Sequence, residues 1–172
     1  MAEDMNYQLK NRNELIHLFN SLKFKYGAEV GVGQGKFSKF MHDTIHGLKL
    51  FSVDKPREGR EKYYVAAKQR LARYPLNTLI VDSSMNAVGR IENKSLDFVY
   101  IDADHTFNYV VCDIVEWSKK VRDGGIVSGH DYMKRRGWGV IDAVNLYCKH
   151  NNKELLLTED KGSRGHSWYF YK

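Results

Sequence analysis

The sequence predicts an α/β fold: a doubly wound, mostly parallel sheet of seven strands with helices on both faces, the last two strands forming an antiparallel pair. Three observations predict it. Short apolar runs alternate with stretches of helical periodicity. A glycine-rich turn, Glu29-Val30-Gly31-Val32-Gly33-Gln34-Gly35, joins the first apolar run to the next helical stretch. The residues that end successive apolar runs are carboxylates or glycines, and in an open α/β sheet such ends share one edge.

The elements follow in order. Leu15, Ile16, Leu18, Phe19 and Leu22 recur at helical spacing behind Asn11 and Asn13, either of which can cap. Residues 28–31 form a short strand, and Phe37, Phe40 and Met41 mark the helix after the glycines. A strand covers 48–53, and a helix covers 61–74 until Pro75 stops it. A strand at 77–81, a short helix at 84–92 and a strand at 96–101 come next. The helix at 107–121 sets Phe107, Val110, Val111, Ile114, Trp117 and Val121 on one face. Gly124-Gly125 breaks it, and 126–128 opens the fifth strand. A helix at 140–150 precedes strands at 154–158 and 167–171, joined by a turn containing Gly162 and Gly165. That join is too short for a parallel crossover, so the two strands pair antiparallel.

The 172 residues fit a single domain, 1–172, with a leading helix (1–25), a core (26–133) and a C-terminal helix and strand pair (134–172). No apolar run is long enough to span a bilayer, and the first residues are polar, unlike a secretory signal. Cys112 and Cys148 form no spacing motif, which points to a reduced, cytoplasmic setting. Net charge is +6. Its basic residues gather in 57–73 and in Lys134-Arg135-Arg136, which favours anionic partners. The plainer reading is a solvated helix face plus a basic loop, with RNA or an acidic substrate as alternatives.

The alternate glycines let the chain turn sharply with no Cβ facing a ligand. Asp54 ends the second run at the distance where a carboxylate takes the ribose hydroxyls of a nucleoside. The third strand ends at Asp82-Ser83, the fourth at Asp102-Ala103-Asp104-His105, the fifth at Gly129-His130-Asp131-Tyr132. One aspartate at a strand end reads as a turn residue; the whole series reads as a ligand site. The spacing is G-x-G-x-G, so Lys36 stands where a dinucleotide fingerprint has its third glycine. That disfavours a nicotinamide cofactor.

The segments E-V-G-V-G-Q-G, V-D-K-P, V-D-S-S, Y-I-D-A-D-H-T-F and G-G-I-V-S-G-H-D-Y lie within residues 26–133. Together they resemble class I S-adenosylmethionine-dependent methyltransferases. More narrowly they resemble the small methyltransferase-domain-24 type, related to cephalosporin-hydroxylase-like and macrocin O-methyltransferase-like enzymes. The resemblance implies a Rossmann-like fold and S-adenosyl-L-methionine as cofactor. It implies that Glu29, Gly31, Val32, Gly33, Gln34 and Gly35 hold the methionine end, and that Asp54, with Lys55 beside it, binds the ribose. Asp82 and the Ser83 backbone would contact the adenine. Asp102 would sit beside the methionine amino group or at a metal.

A hydroxyl acceptor must lose a proton, and Asp102, His105 and His130 are the catalytic candidates, histidine being a base near neutral pH. Related O-methyltransferases hold magnesium with acidic residues after strands four and five. Asp102 and Asp131 match those positions, which makes Mg2+ or another divalent ion a second expected cofactor, although the third ligand of catechol-type enzymes is not evident. Strand four lacks the Asn/Asp-Pro-Pro-aromatic motif of enzymes that methylate amino groups on bases. The expected acceptor is therefore a hydroxyl on a small molecule or sugar. An RNA methyltransferase and a catalytically inactive cofactor-binding interaction domain are the alternatives. The loop Y-M-K-R-R-G-W, 132–138, would overhang the site, its aromatics and cations suited to a flat or anionic acceptor; an ordinary basic surface loop is the plainer reading. The residues ahead of the first strand are too few for a full lid, so the acceptor site is expected to be either shallow or completed by a second subunit of a homo-oligomer.

Overall fold

The computed structural model describes residues 8–159 and 165–172. Gly162 of the anticipated final turn and most of the polar N-terminal stretch lie outside them. Asn11 decides the first cap: its side chain accepts from the N–H groups of Asn13 (2.9 Å) and Glu14 (3.3 Å) and starts α1 (Arg12–Ser21). The chain then alternates through β1 (Tyr26–Val30), α2 (Lys36–Thr44), β2 (Lys49–Asp54), α3 (Glu61–Leu71), β3 (Asn77–Val81), α4 (Ser84–Val88), β4 (Leu96–Ile101), α5 (Phe107–Ser118) and β5 (Val121–Tyr132). It closes with α6 (Val140–His150), β6 (Leu156–Leu157) and β7 (His166–Tyr171).

One seven-stranded sheet results, in the order β3-β2-β1-β4-β5-β7-β6. The pairings from β3 across to β5 are parallel, and β7 runs antiparallel to both of its neighbours. The expected doubly wound sheet with a terminal antiparallel pair is thus present. β7 is inserted between β5 and β6, so it alone runs against the rest. Period-two alternation divides the core between the sheet's faces. Ala28, Val30, Val99, Ile101, Val127, Trp168 and Phe170 pack with α4, α5 and α6. Leu50, Phe98, Tyr100, Ile126 and Tyr169 pack with α1 and α2 on the other face. On that face Ala67 and Leu71 of α3 cover Val32.

Chain order reverses between β1 and β4, and a crevice opens at their carboxyl ends. The two strands meet closely there. Asp102 N–H donates to the Val30 carbonyl at 2.7 Å. A Cβ on Gly31 would lie 2.0 Å from the Asp102 carbonyl oxygen, and Gly31 has φ +97°. Only glycine lets the chain leave β1 at this point.

Several element bounds differ from the sequence reading. α5 stops at Ser118, and Val121 already belongs to β5. Main-chain bonds from Lys94 to the Lys119 carbonyl and from Leu96 to the Lys120 carbonyl, both 3.0 Å, draw the segment onto β4. Gly124-Gly125 therefore sits inside β5, in an excursion where Val121 pairs with Leu96 and Ile126 with Phe98. A Cβ on Gly125 would meet the Asp97 carbonyl at 2.4 Å, so close backbone approach explains the glycine. α4 ends at Val88 because Arg90 and Ile91 bond back to Ala87 and Val88 in tighter turns. β6 narrows to two residues, and β1 begins earlier, at Tyr26. Among the described residues no helix is long and apolar enough to cross a membrane.

Candidate active site

The crevice at the β1–β4 reversal is a cleft of about 440 Å³. The glycine turn forms its floor. Gly31, Gly33 and Gly35 all have positive φ, and the turn is tied down by Gly31 N–H to the Val53 carbonyl (2.8 Å) and Gly35 N–H to the Val32 carbonyl (2.9 Å). Arg70 of α3 donates to the Gln34 carbonyl from below. A Cβ at Gly33 would touch nothing within 4 Å, so that position faces open cleft. Asp54 leaves β2 beside the turn, and its Oδ2 accepts from Gly33 N–H at 2.6 Å. Burial pushes the Asp54 carboxyl up, opposed by N–H bonds from Gly33, Lys55 and Val32.

Glu29 lies at the base of the cleft, 2% exposed. Its carboxyl accepts from the Ser38 hydroxyl of α2. That hydroxyl also meets Ser52 (3.2 Å), which donates to the Asn77 side-chain oxygen (2.9 Å). Burial is the main reason the Glu29 carboxyl is raised to about 8, with Asp102 and Asp54 adding to it and Arg12 opposing. Without a ligand the group is largely uncharged at neutral pH, and an ammonium placed beside it would favour its ionised form.

Asp102 and His105 follow β4 on the cleft wall. His105 Nε2 is 2.6 Å from Asp131 Oδ2 and 3.8 Å from Asp102 Oδ1. The Asp102 and Asp131 carboxylates push the imidazole up to about 9, burial opposing them. Burial works against the charge on Asp131, but hydrogen bonds from His105 and His130 overcome it and hold that carboxyl well below its ordinary range. A β-bulge aims Asp131: β5 pairs Gly129 with Trp168 and then Tyr132 with His166, and Asp131 takes φ +59°. His130 bonds Asp131 Oδ1 through Nδ1 (3.1 Å), and its carbonyl accepts from Trp168 Nε1 (3.1 Å). The Trp138 ring lies over His105, centroids 4.1 Å apart and planes 10° apart.

The structure thus gathers Glu29, Gly31, Val32, Gly33, Gln34, Asp54, Lys55, Asp102 and His105 around one cleft. Gly35, Asp82, Ser83, His130 and Asp131 do not line it. Gly35 packs against Ala67 of α3. Asp82 is committed to Asn86 Nδ2 (2.9 Å), Ser83 N–H (2.8 Å) and Arg90, while Ser83 caps α4. Sequence reasoning missed Arg12, Lys36, Arg57, Arg60, Tyr63 and Tyr64, which also line the cleft. Arg12 reaches it from α1, 3.8 Å from Asp102 and stacked on Phe37. The basic run beginning at Arg57 was the available signal, read as a solvated face.

The donor sets answer differently for the two expected cofactors. A buried carboxyl that a cation would ionise, a second carboxylate on the glycine turn and open backbone at Gly33 fit a nucleoside carrying an ammonium group. Asp102, His105 and Asp131 offer ligand atoms within 4.8 Å of one another. Magnesium wants oxygen donors in near-octahedral array. Here one of the three donors is an imidazole nitrogen, bonded to Asp131 at 2.6 Å, so the set does not present the oxygen array that magnesium takes.

Fold and cleft together define a class I methyltransferase. The family model described as "Methyltransferase domain" matches residues 28–132, and the chain belongs to that family. The O-methyltransferase TomG of Streptomyces achromogenes, involved in tomaymycin synthesis and solved with S-adenosylmethionine, is 15% identical with TM-score 0.70, the match covering 94% of this chain and 79% of that one. An O-methyltransferase from Bacillus cereus solved with S-adenosylhomocysteine is 16% identical, TM-score 0.72, with 94% and 80% covered. A candidate rRNA-methylase from Clostridium thermocellum is 15% identical, TM-score 0.72, with 95% and 97% covered. At these identities the likeness is one of fold. A comparison with curated proteins found no match.

Proposed function

We propose that the protein is an S-adenosylmethionine-dependent O-methyltransferase acting on a hydroxyl of a small molecule or sugar. The observation that carries this reading is the convergence of Glu29, Asp54 and Asp102 on the glycine turn, with the His105–Asp131 pair at the rim. Support also comes from the compared O-methyltransferases that hold S-adenosylmethionine or its demethylated product.

When bound, S-adenosylmethionine supplies a methyl group already activated on a sulfonium. Glu29 and Asp102 would hold its ammonium, Asp54 would take the ribose hydroxyls, and Gly31 and Gly33 would let it approach the backbone. His105 in its neutral form keeps its Nε2 proton toward Asp131 and accepts the acceptor's hydroxyl proton at Nδ1, and Asp131 stabilises the resulting imidazolium. Trp138 covers the imidazole and excludes water from one face. The divalent ion has no part in this reading.

Calorimetry with S-adenosylmethionine, S-adenosylhomocysteine and NAD tests it. The first two should bind and NAD should not; the reverse order would end the proposal. Net charge keeps an RNA acceptor as a second reading, which requires affinity that falls steeply with salt.

A further inference from the structure

We propose that the acceptor carries an anionic group, a phosphate, sulfate or carboxylate, and that the loop between β5 and α6 holds it. This inference rests on the methyltransferase reading and names the substrate class for that site.

The first argument is charge. Five cationic side chains, Arg12, Lys36, Lys55, Arg57 and Arg60, line the cleft beside the carboxyls of Glu29, Asp54 and Asp102. S-adenosylmethionine has one carboxylate against an ammonium and a sulfonium, so it is itself a net cation. It can satisfy one of these cations and repels the rest. Arg12 already faces Asp102, and Arg57 donates to the Ala103 carbonyl at 3.3 Å. Among the described residues Lys36, Lys55 and Arg60 are in no ion pair. The surplus suits a second ligand that is anionic.

The second argument is shape. A separate open depression of about 350 Å³ lies along the loop, lined by Lys134, Arg135, Arg136 and Trp138 among others, with Asp142 its one acidic lining residue. None of its three basic residues is in an ion pair among the described residues. The two cavities meet at a stack of rings: His105 lines the first, Trp138 lines the second, and their centroids are 4.1 Å apart. The Arg135 guanidinium lies over the same indole at 4.5 Å. A molecule that presents a hydroxyl to the His105 imidazole therefore extends past Trp138 toward Arg135 and Arg136.

Trp138 supplies the readout. Trp117 and Trp168 are buried, so quenching of tryptophan fluorescence by a ligand in this cavity reports on Trp138; loss of the signal in Trp138→Phe verifies the assignment. The probes are phenyl phosphate and benzoate, with phenol as the neutral control and a short RNA oligonucleotide as the competitor. Either anion should quench saturably, at least tenfold more tightly than phenol, and the stronger of the two tells phosphate from carboxylate. The double variant Arg135→Gln with Arg136→Gln should weaken the anions tenfold or more and leave phenol and S-adenosylmethionine affinity unchanged. Equal binding of phenol, or anion affinity unaltered in the double variant, overturns the inference. RNA that binds more tightly than phenyl phosphate with steep salt dependence also overturns it, in favour of a nucleic-acid surface. If the wild type binds S-adenosylmethionine but no anion, only this inference fails. If it binds no S-adenosylmethionine, the enzymatic reading fails and takes the acceptor assignment with it.

Discussion

His105 Nε2 lies 2.6 Å from Asp131 Oδ2, a contact that joins the loop after β4 to the bulged end of β5. Histidine held this way is the imidazolium at neutral pH, because the carboxylates of Asp102 and Asp131 raise it to about 9. Proton acceptance needs the neutral ring. Turnover should therefore rise with pH, roughly tenfold per unit, and level off above the raised value. Asp131→Asn should move the inflection down toward an ordinary histidine. A pH–rate profile that stays flat across this range would reject His105 as the base.

Asp54→Ala removes the carboxylate that both accepts from Gly33 and faces the expected ribose. Loss of a charge-assisted hydrogen bond costs about 1.5–3 kcal/mol, so S-adenosylmethionine should bind tenfold or more weakly in calorimetry. Unaltered affinity would mean the nucleoside lies elsewhere.

The first two cleft glycines should respond differently to alanine. Gly31→Ala drives a Cβ into the Asp102 carbonyl and should collapse stability or expression. Gly33→Ala meets no atom, and only its φ of +55° is unfavourable. It should cost about 1 kcal/mol, a melting shift of roughly 2–4 °C for a chain of this size. Comparable melting losses in the two variants would contradict the close β1–β4 approach.

Glu29 makes the ligand-free protein pH-sensitive. Its carboxyl titrates near 4.5 in the unfolded chain and at about 8 in the fold. Between those values the folded state binds the extra proton, so stability falls as pH rises through the window. Asp113, raised to about 6 chiefly by burial, adds the same trend over its lower range. Glu29→Gln should flatten the upper part of the slope and raise the melting temperature near pH 8. A pH slope identical to the wild type's, measured by calorimetric melts, would show that Glu29 ionises freely in the fold.

Chelation should leave turnover intact, since Asp102, His105 and Asp131 include an imidazole and do not form the oxygen array that magnesium takes. Activity lost to EDTA and restored by magnesium would put an ion between those carboxylates.

Much of the site was legible in the order of residues. The glycine turn, Asp54, Asp102 and His105 all end or follow strands of a doubly wound sheet, and the topology rule places such ends on one edge. The rule says nothing about which neighbours will claim a side chain. Asp82 ends its strand as expected, yet Asn86, Ser83 N–H and Arg90 take its carboxylate away from the cleft. Arg12 sits before any strand and carries no motif, and only the packing of α1 brings it to Asp102.

The sequence by itself determined the architecture and the edge that carries the candidate site, because period-two and helical spacing, glycine turns and strand-terminal carboxylates are local signals. Only the tertiary structure decided how those groups are charged and aimed. The bulge that turns Asp131 toward His105, the burial that keeps Glu29 uncharged and the Trp138 ring over the imidazole arise from residues distant in the chain. Electrostatic environment depends on distance and desolvation in three dimensions, and neither is written in the spacing of residues along one.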